Sequence, residues 1–365
     1  VTSENDGIKS NNSTDPVLGY VSINGGSVEI TAQGDGITAA NYFFLANGTL
    51  DITVGGGSTA TITDTLSHKG VKANVISIAS GDLTIDAAGD ALNSAGVVNI
   101  ANGTINLISG DEAISANGDV TISDGDITII SKGNAIYSDT KIAVDGSLLS
   151  ITSQKDALNT KGLLTVSNGI LVFNTQDQGI NADSTITISG GNLTITSAFD
   201  AIKSGYNIEI TKGSFNLTVG GGCSTTYTDT LSRNGIDASG DISISDGTFT
   251  IKAAGDGINA KGSANISGGT IGICAGDDGI NAKILANVTG STTTIDSKGH
   301  SVTSATAISV SGGKITSNNN VNSDGTINVS GGTLDITITQ NDAKGMKSLG
   351  AMTLSGGTIT IKTSG

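Results

Sequence analysis

A short motif recurs along almost the whole chain: an acid or amide, then Gly or Ala, then an aliphatic residue. Its aliphatic member falls at Val71, Leu92, Ile114, Ile136, Leu158, Ile180, Ile202, Ile236, Ile258, Ile280 and Val302. The steps between them are 21, 22, 22, 22, 22, 22, 34, 22, 22 and 22 residues. Ile8 and Ile37 extend the series upstream, and Val321 and Met346 extend it downstream. Chance does not hold such a register over ten steps, and a fixed period of this length marks a solenoid. Within each unit, Ile, Val or Leu alternates with Thr, Ser or Asn in two or three short runs, the pattern of half-buried strands. Asn-Gly, Asp-Gly and Gly-Gly separate the runs as tight turns. No connection is long enough for a crossover helix. A lone 22-residue unit cannot bury its apolar face, so the units must stack on one another. Stacked parallel strands give an all-β, right-handed, single-stranded parallel β-helix of about fifteen coils, read as one domain over 1–365.

Composition agrees with that geometry. The chain of 365 residues has 53 Gly and a single Pro. A stacked coil uses its N–H groups for its neighbours, which excludes Pro, and its sharp corners favour Gly. Acidic residues are 29 Asp against 4 Glu, and the only arginine is Arg233. That scarcity of helix formers argues against a helical bundle. Net charge is −15, which disfavours nucleic acid and anionic membrane as partners. No apolar stretch approaches the length of a membrane span. Two cysteines are too few for a disulfide framework. Cys223 lies in an insertion and Cys274 in a strand about two coils on, so both are read as free small residues.

The 34-residue steps are a 22-residue coil plus 12, and their insertions match each other. One spans 54–70 (VGGGSTATITDTLSHKG), the other 219–235 (VGGGCSTTYTDTLSRNG). An insertion kept twice on one edge of a solenoid either builds a binding rim or records an old duplication.

With the DGI-x-A and SGG units, these VGGG…DTLS insertions and the opening NDGIKSNNSTDPVLGY (5–20), the chain resembles a known family. It is similar to the secreted carbohydrate-binding-domain proteins of plant-biomass-degrading bacteria, whose β-helix architecture is like that of pectate-type polysaccharide lyases. The resemblance implies cellulose and pectin binding, bound calcium, an extracellular location and no established lyase activity.

Two residues before the motif aliphatic lies a column: Asp90, Glu112, Asn134, Asp156, Gln178, Asp200, Asn234, Asp256, Asp278 and His300. Neighbouring carboxylates stacked at coil spacing repel by about 3 kcal/mol at an effective dielectric near 20. Most of the column avoids this by alternating acid with amide. Asp90 with Asp111 and Glu112, and Asp256 with Asp277 and Asp278, do not. A third possible acidic corner holds Asp6, Asp35 and Asp64. Any one Asp reads first as a corner cap, whereas the Asp256–Asp277–Asp278 group reads as hard oxygen ligands for calcium. His68 and His300 lack metal-ligand neighbours and read as solvent-facing corner residues.

Sugar faces stack on aromatic rings. The candidates are Tyr137, Phe199, Tyr206 and Tyr227, helped by Lys155, Lys203 and Arg233. Phe173, Phe215 and Phe249 read as core, and Tyr42–Phe43–Phe44 as a strand that could pack inward. The expected function is extracellular binding of plant cell-wall polysaccharide by a monomer holding structural calcium. A calcium-dependent lyase, using Arg233, Lys155 or Lys203 as the base, is the enzymatic alternative. An adhesin-like or ice-binding solenoid is the structural one, and the lack of a regular Thr ladder weighs against ice.

Overall fold

Alternation along the chain becomes three parallel strands per turn. The computed structural model describes residues 1–15, 17–226, 229–338 and 344–363. One coil shows the plan: Ile114–Ala116, Val120–Ile122, then the longer Asp126–Ser131. Each residue pairs with its equivalent one coil on, as Ile114 with Ile136, Val120 with Ile142 and Ile127 with Leu149. Strands equivalent to Asp126–Ser131 make one sheet and those equivalent to Ile114–Ala116 and Val120–Ile122 the other, all parallel. The result is an all-β parallel solenoid of about 15 turns with ~22-residue coils, with no helix among the described residues. No helix there is long and apolar enough to cross a membrane.

The chain divides into two compact units, Val1–Gln176 and Asp177–Gly365. Each has the same internal plan. Inward positions form aliphatic columns such as Ile105, Ile127, Leu149 and Leu171, all fully buried. Removing one of these side chains, as in Ile127→Ala, would cost roughly 2–5 kcal/mol because stacked neighbours above and below cannot collapse into the gap. Phe215 and Phe249 stack inside the second unit with ring centroids 4.4 Å apart, and Phe173 is buried in the first, so all three serve the core as expected.

Corners carry their own hydrogen bonds. Ser109, Ser131 and Ser153 end successive long strands, and each donates its hydroxyl to the carbonyl two residues on. These small buried hydroxyls thereby find partners of their own within the turn.

Candidate functional site

Asp and Asn side chains hold the coils together along one corner. In the second unit Asp200 accepts from the Asn234 amide at 2.7 Å, and Asn234 accepts from the Asp256 amide at 2.8 Å. Asp256 accepts from the Asp278 amide at 2.9 Å, and Asp278 from the His300 amide at 2.6 Å. The same device links Asp6 to the Asp35 amide, Asp35 to the Lys69 amide and Asn134 to the Asp156 amide in the first unit. These side chains cap the next coil rather than their own turn. A short side chain is needed to reach one strand spacing, which accounts for the excess of Asp over Glu.

Two places on this corner hold more carboxylate than capping requires. Asp90, Asp111 and Glu112 form one group, and Asp256, Asp277 and Asp278 the other, each with ligand oxygens within 4.8 Å of one another. These are the only such groups among the described residues, and Asp6, Asp35 and Asp64 do not form a third. Asp64 turns instead to His68, 3.0 Å away. Asp90 is 3% exposed. Its Oδ2 meets Lys69 Nζ at 2.9 Å and Asn93 Nδ2 at 2.7 Å, while its buried Oδ1 has no hydrogen-bond partner. Burial pushes the Glu112 carboxyl up, and hydrogen bonding and charge from Asp111 add to the shift. Burial also raises Asp278 and lifts Asp256 to about 7, despite the hydrogen bonds Asp256 accepts. Each group of three carboxyls meets a single basic side chain, Lys69 at Asp90 and His300 at Asp278.

Glycine leaves room over both groups. A methyl built on Gly299 would lie 2.5 Å from Asp278 Oδ1 and 2.8 Å from Asp277 Oδ1, and one on Gly133 would lie 2.9 Å from Asp111 Oδ1. An orphaned buried oxygen, an all-carboxylate donor set and a cradle that a Cβ would fill suit a hard divalent cation such as calcium.

Each group lies one coil beyond an insertion, and the insertions are anchored alike. In the first, Asp64 pairs with His68, and in the second Asp229 pairs with Arg233 at the matching positions. Arg233 donates from Nη1 (2.6 Å) and Nη2 (3.0 Å) to the two Asp229 oxygens. That bidentate pair holds the Asp229 carboxyl below the usual carboxylate range. A lysine 74 residues on closes each loop: Lys132 donates to the Ser58 carbonyl at 2.6 Å, and Lys298 to the Ser224 carbonyl at 3.4 Å.

Two expectations are corrected here. His68 is not solvent-facing. It is 6% exposed, with Nδ1 2.6 Å from the Gln33 carbonyl oxygen. Nor are the cysteines free: Cys223 and Cys274 form a disulfide with Cα atoms 5.5 Å apart. Position along the chain is a poor guide to this separation, because the insertion folds back over the outer face of the long-strand sheet. Cys274 sits on that face in strand Thr270–Ala275, two coils beyond the strand Ser214–Val219 that feeds the loop. His300 is half-exposed as expected, although its Nδ1 lies 3.0 Å from Asp278.

Beneath the second insertion lies a pocket of about 290 Å³ whose lining includes Asp229, Arg233, Asp277 and Lys298. The Arg233 guanidinium carbon lies 5.2 Å from the centroid of Phe199. Lys203 is 3.6 Å from Asp200 Oδ2. Lys155 is exposed in the first unit. There too, Tyr137 donates to Asp139 at 2.6 Å, with Lys161 5.8 Å from its ring centroid. Tyr206 is 60% exposed on a turn. Tyr227 lies outside the described residues. Of the Tyr42–Phe43–Phe44 run only Phe43 packs inward, while Tyr42 is exposed and Phe44 half-exposed.

The solenoid thus carries two carboxylate corners, each beside an anchored insertion. Matches to the model of one family, carbohydrate-binding domain-containing proteins, cover residues 1–113, 113–279 and 260–365, and the chain belongs to that family. No curated protein and no solved structure matches the chain.

Proposed function

We infer that this carbohydrate-binding protein recognises plant cell-wall polysaccharide outside the cell, with calcium held at the two carboxylate corners. The observation that carries the reading is the second rim, where Arg233 and Lys298 line one pocket with Asp277 of the Asp256–Asp277–Asp278 group. A uronate chain brings carboxylates of the same sign as the protein's net −15. Calcium on Asp256, Asp277 and Asp278 would bridge the two, and Arg233 would add a directional hydrogen-bond donor. Neutral glycans need no bridge and can use the rows of Ser, Thr and Asn on the outer sheet faces, each bond being worth of order 1 kcal/mol. The Cys223–Cys274 disulfide supports an oxidising, extracellular setting.

As a lyase base, Arg233 would first have to leave Asp229, which holds both of its terminal nitrogens. That leaves Lys155 and Lys203 as the more accessible bases for the lyase alternative. Affinity electrophoresis through cellulose, pectin and xylan tests the reading, with and without chelator. Ultraviolet absorbance of unsaturated products from polygalacturonate tests the lyase alternative in the same samples.

A further inference from the structure

The first coils carry an aromatic groove unlike the rest of the surface. Two strands, Ile8–Ser10 and Tyr20–Ile23, both pair with the single long strand Ile37–Leu45. The chain between them loops outward. Asn41 fixes that loop by donating to the carbonyls of Asn12 (3.1 Å), Asp15 (2.9 Å) and Leu18 (2.6 Å). Val17 and Leu18 thereby form a wall over a floor of Tyr20, Tyr42 and Phe44, around a space of about 320 Å³. Val17, Tyr20 and Tyr42 are 74%, 56% and 50% exposed. Exposed aliphatic side chains occur on later coils as well, such as Ile130, Leu163 and Ile170, but here exposed aromatic side chains share one groove.

We propose that this groove is a second glycan subsite, specific for neutral, flat-faced sugar rings and independent of cations. The inference rests on the carbohydrate-binding reading above and adds a ligand class to it. Tyr20 and Tyr42 are register partners on adjacent parallel strands, about 4.8 Å apart. With Phe44 beside them they give the groove a floor of adjoining aromatic side chains, on which a sugar ring can lie. Ring faces offer C–H groups to the aromatic surface, and the tyrosine hydroxyls remain free at the edge to bond sugar hydroxyls. Among the described residues the groove is lined by no charged side chain, which favours a neutral chain over a uronate. A second copy of this protein is opposed by the net charge of −15 on each molecule.

The test is calorimetry of the full chain with cellohexaose in chelator, beside polygalacturonate in calcium. Tyr20→Ala and Tyr42→Ala should each weaken cellohexaose binding about tenfold, the loss of one ring contact. Tyr42→Phe should keep most of it, and polygalacturonate binding should be unchanged in all three. All are surface changes, and circular dichroism verifies the fold. The proposal is overturned if the double alanine variant binds cellohexaose as the wild type does. It is equally overturned if the wild type binds polygalacturonate but not cellohexaose, or sediments as a dimer that the double variant separates. If the wild type binds neither glycan, the carbohydrate reading beneath it fails as well.

Discussion

Cys223 is bonded to Cys274 across 51 residues, and the bond ties the second insertion to a strand two coils beyond its own. The first insertion has no such bond: Ser58 occupies the place of Cys223, and its amide donates to Asp86 on the next coil at 2.6 Å. The two rims share a plan but differ in how firmly they are fixed.

Reduction should therefore act on the second rim. In the chain-entropy account, closing a loop of this length contributes roughly 2–4 kcal/mol. Thiol titration of the native protein should find no free thiol among the cysteines and two after reduction. The melting temperature should fall on reduction, with proteolysis appearing first within 219–235. Equal cleavage of both insertions would contradict the assignment.

The carboxylate corners should bind calcium. Asp256→Asn and Asp277→Asn should each weaken one calorimetric calcium site by at least about tenfold and leave the other intact. Gly299→Ala should weaken that same site, because its methyl would crowd Asp277 and Asp278. Asp90→Asn should act on the first site alone. A chelator that leaves the melting temperature of the native protein unchanged would count against both sites.

Stability without calcium should depend on pH through Asp256. Its carboxyl stands at about 7 in the folded chain against an ordinary value of 3.8. Between those values the folded state holds a proton that the unfolded chain has released, so stability falls as pH rises through the window. In chelator the melting temperature should be higher at pH 5 than at pH 8. Asp256→Asn should flatten the difference, and a profile identical to that of the native protein would show that another group controls it.

Arg233 and Asp229 should separate binding from anchoring. Arg233→Ala removes the donor and should weaken polygalacturonate binding about tenfold. Asp229→Ala leaves the guanidinium in place and should retain most of the affinity while loosening the loop to proteases. If Arg233→Ala binds as the native protein does, the arginine serves only to anchor the insertion.

The solenoid was legible because its cause is repeated: Ile114, Ile136 and Leu158 stand in register at a 22-residue step, and one coil predicts the next. The carboxylate groups were legible for the same reason, since the repeat places Asp90 beside Glu112 and Asp256 beside Asp278. What escaped the repeat also escaped the sequence. Cys223 and the groove around Tyr20 and Tyr42 sit where the chain leaves its period, and a loop's reach across coils is decided by contacts such as those of Asn41 and Lys298. The anchors of the two insertions had a readable signal. Asp64–His68 and Asp229–Arg233 recur at the same places in the two insertions, as paired anchors should.

The central claim is that this chain holds polysaccharide at calcium-bearing corners. Affinity electrophoresis through polygalacturonate tests it most directly, run with calcium, with chelator, and with the Asp256→Asn/Asp277→Asn variant in calcium. Retardation in calcium alone, lost with chelator and reduced in the variant, is the predicted result. Mobility that is the same in all three lanes would contradict the account.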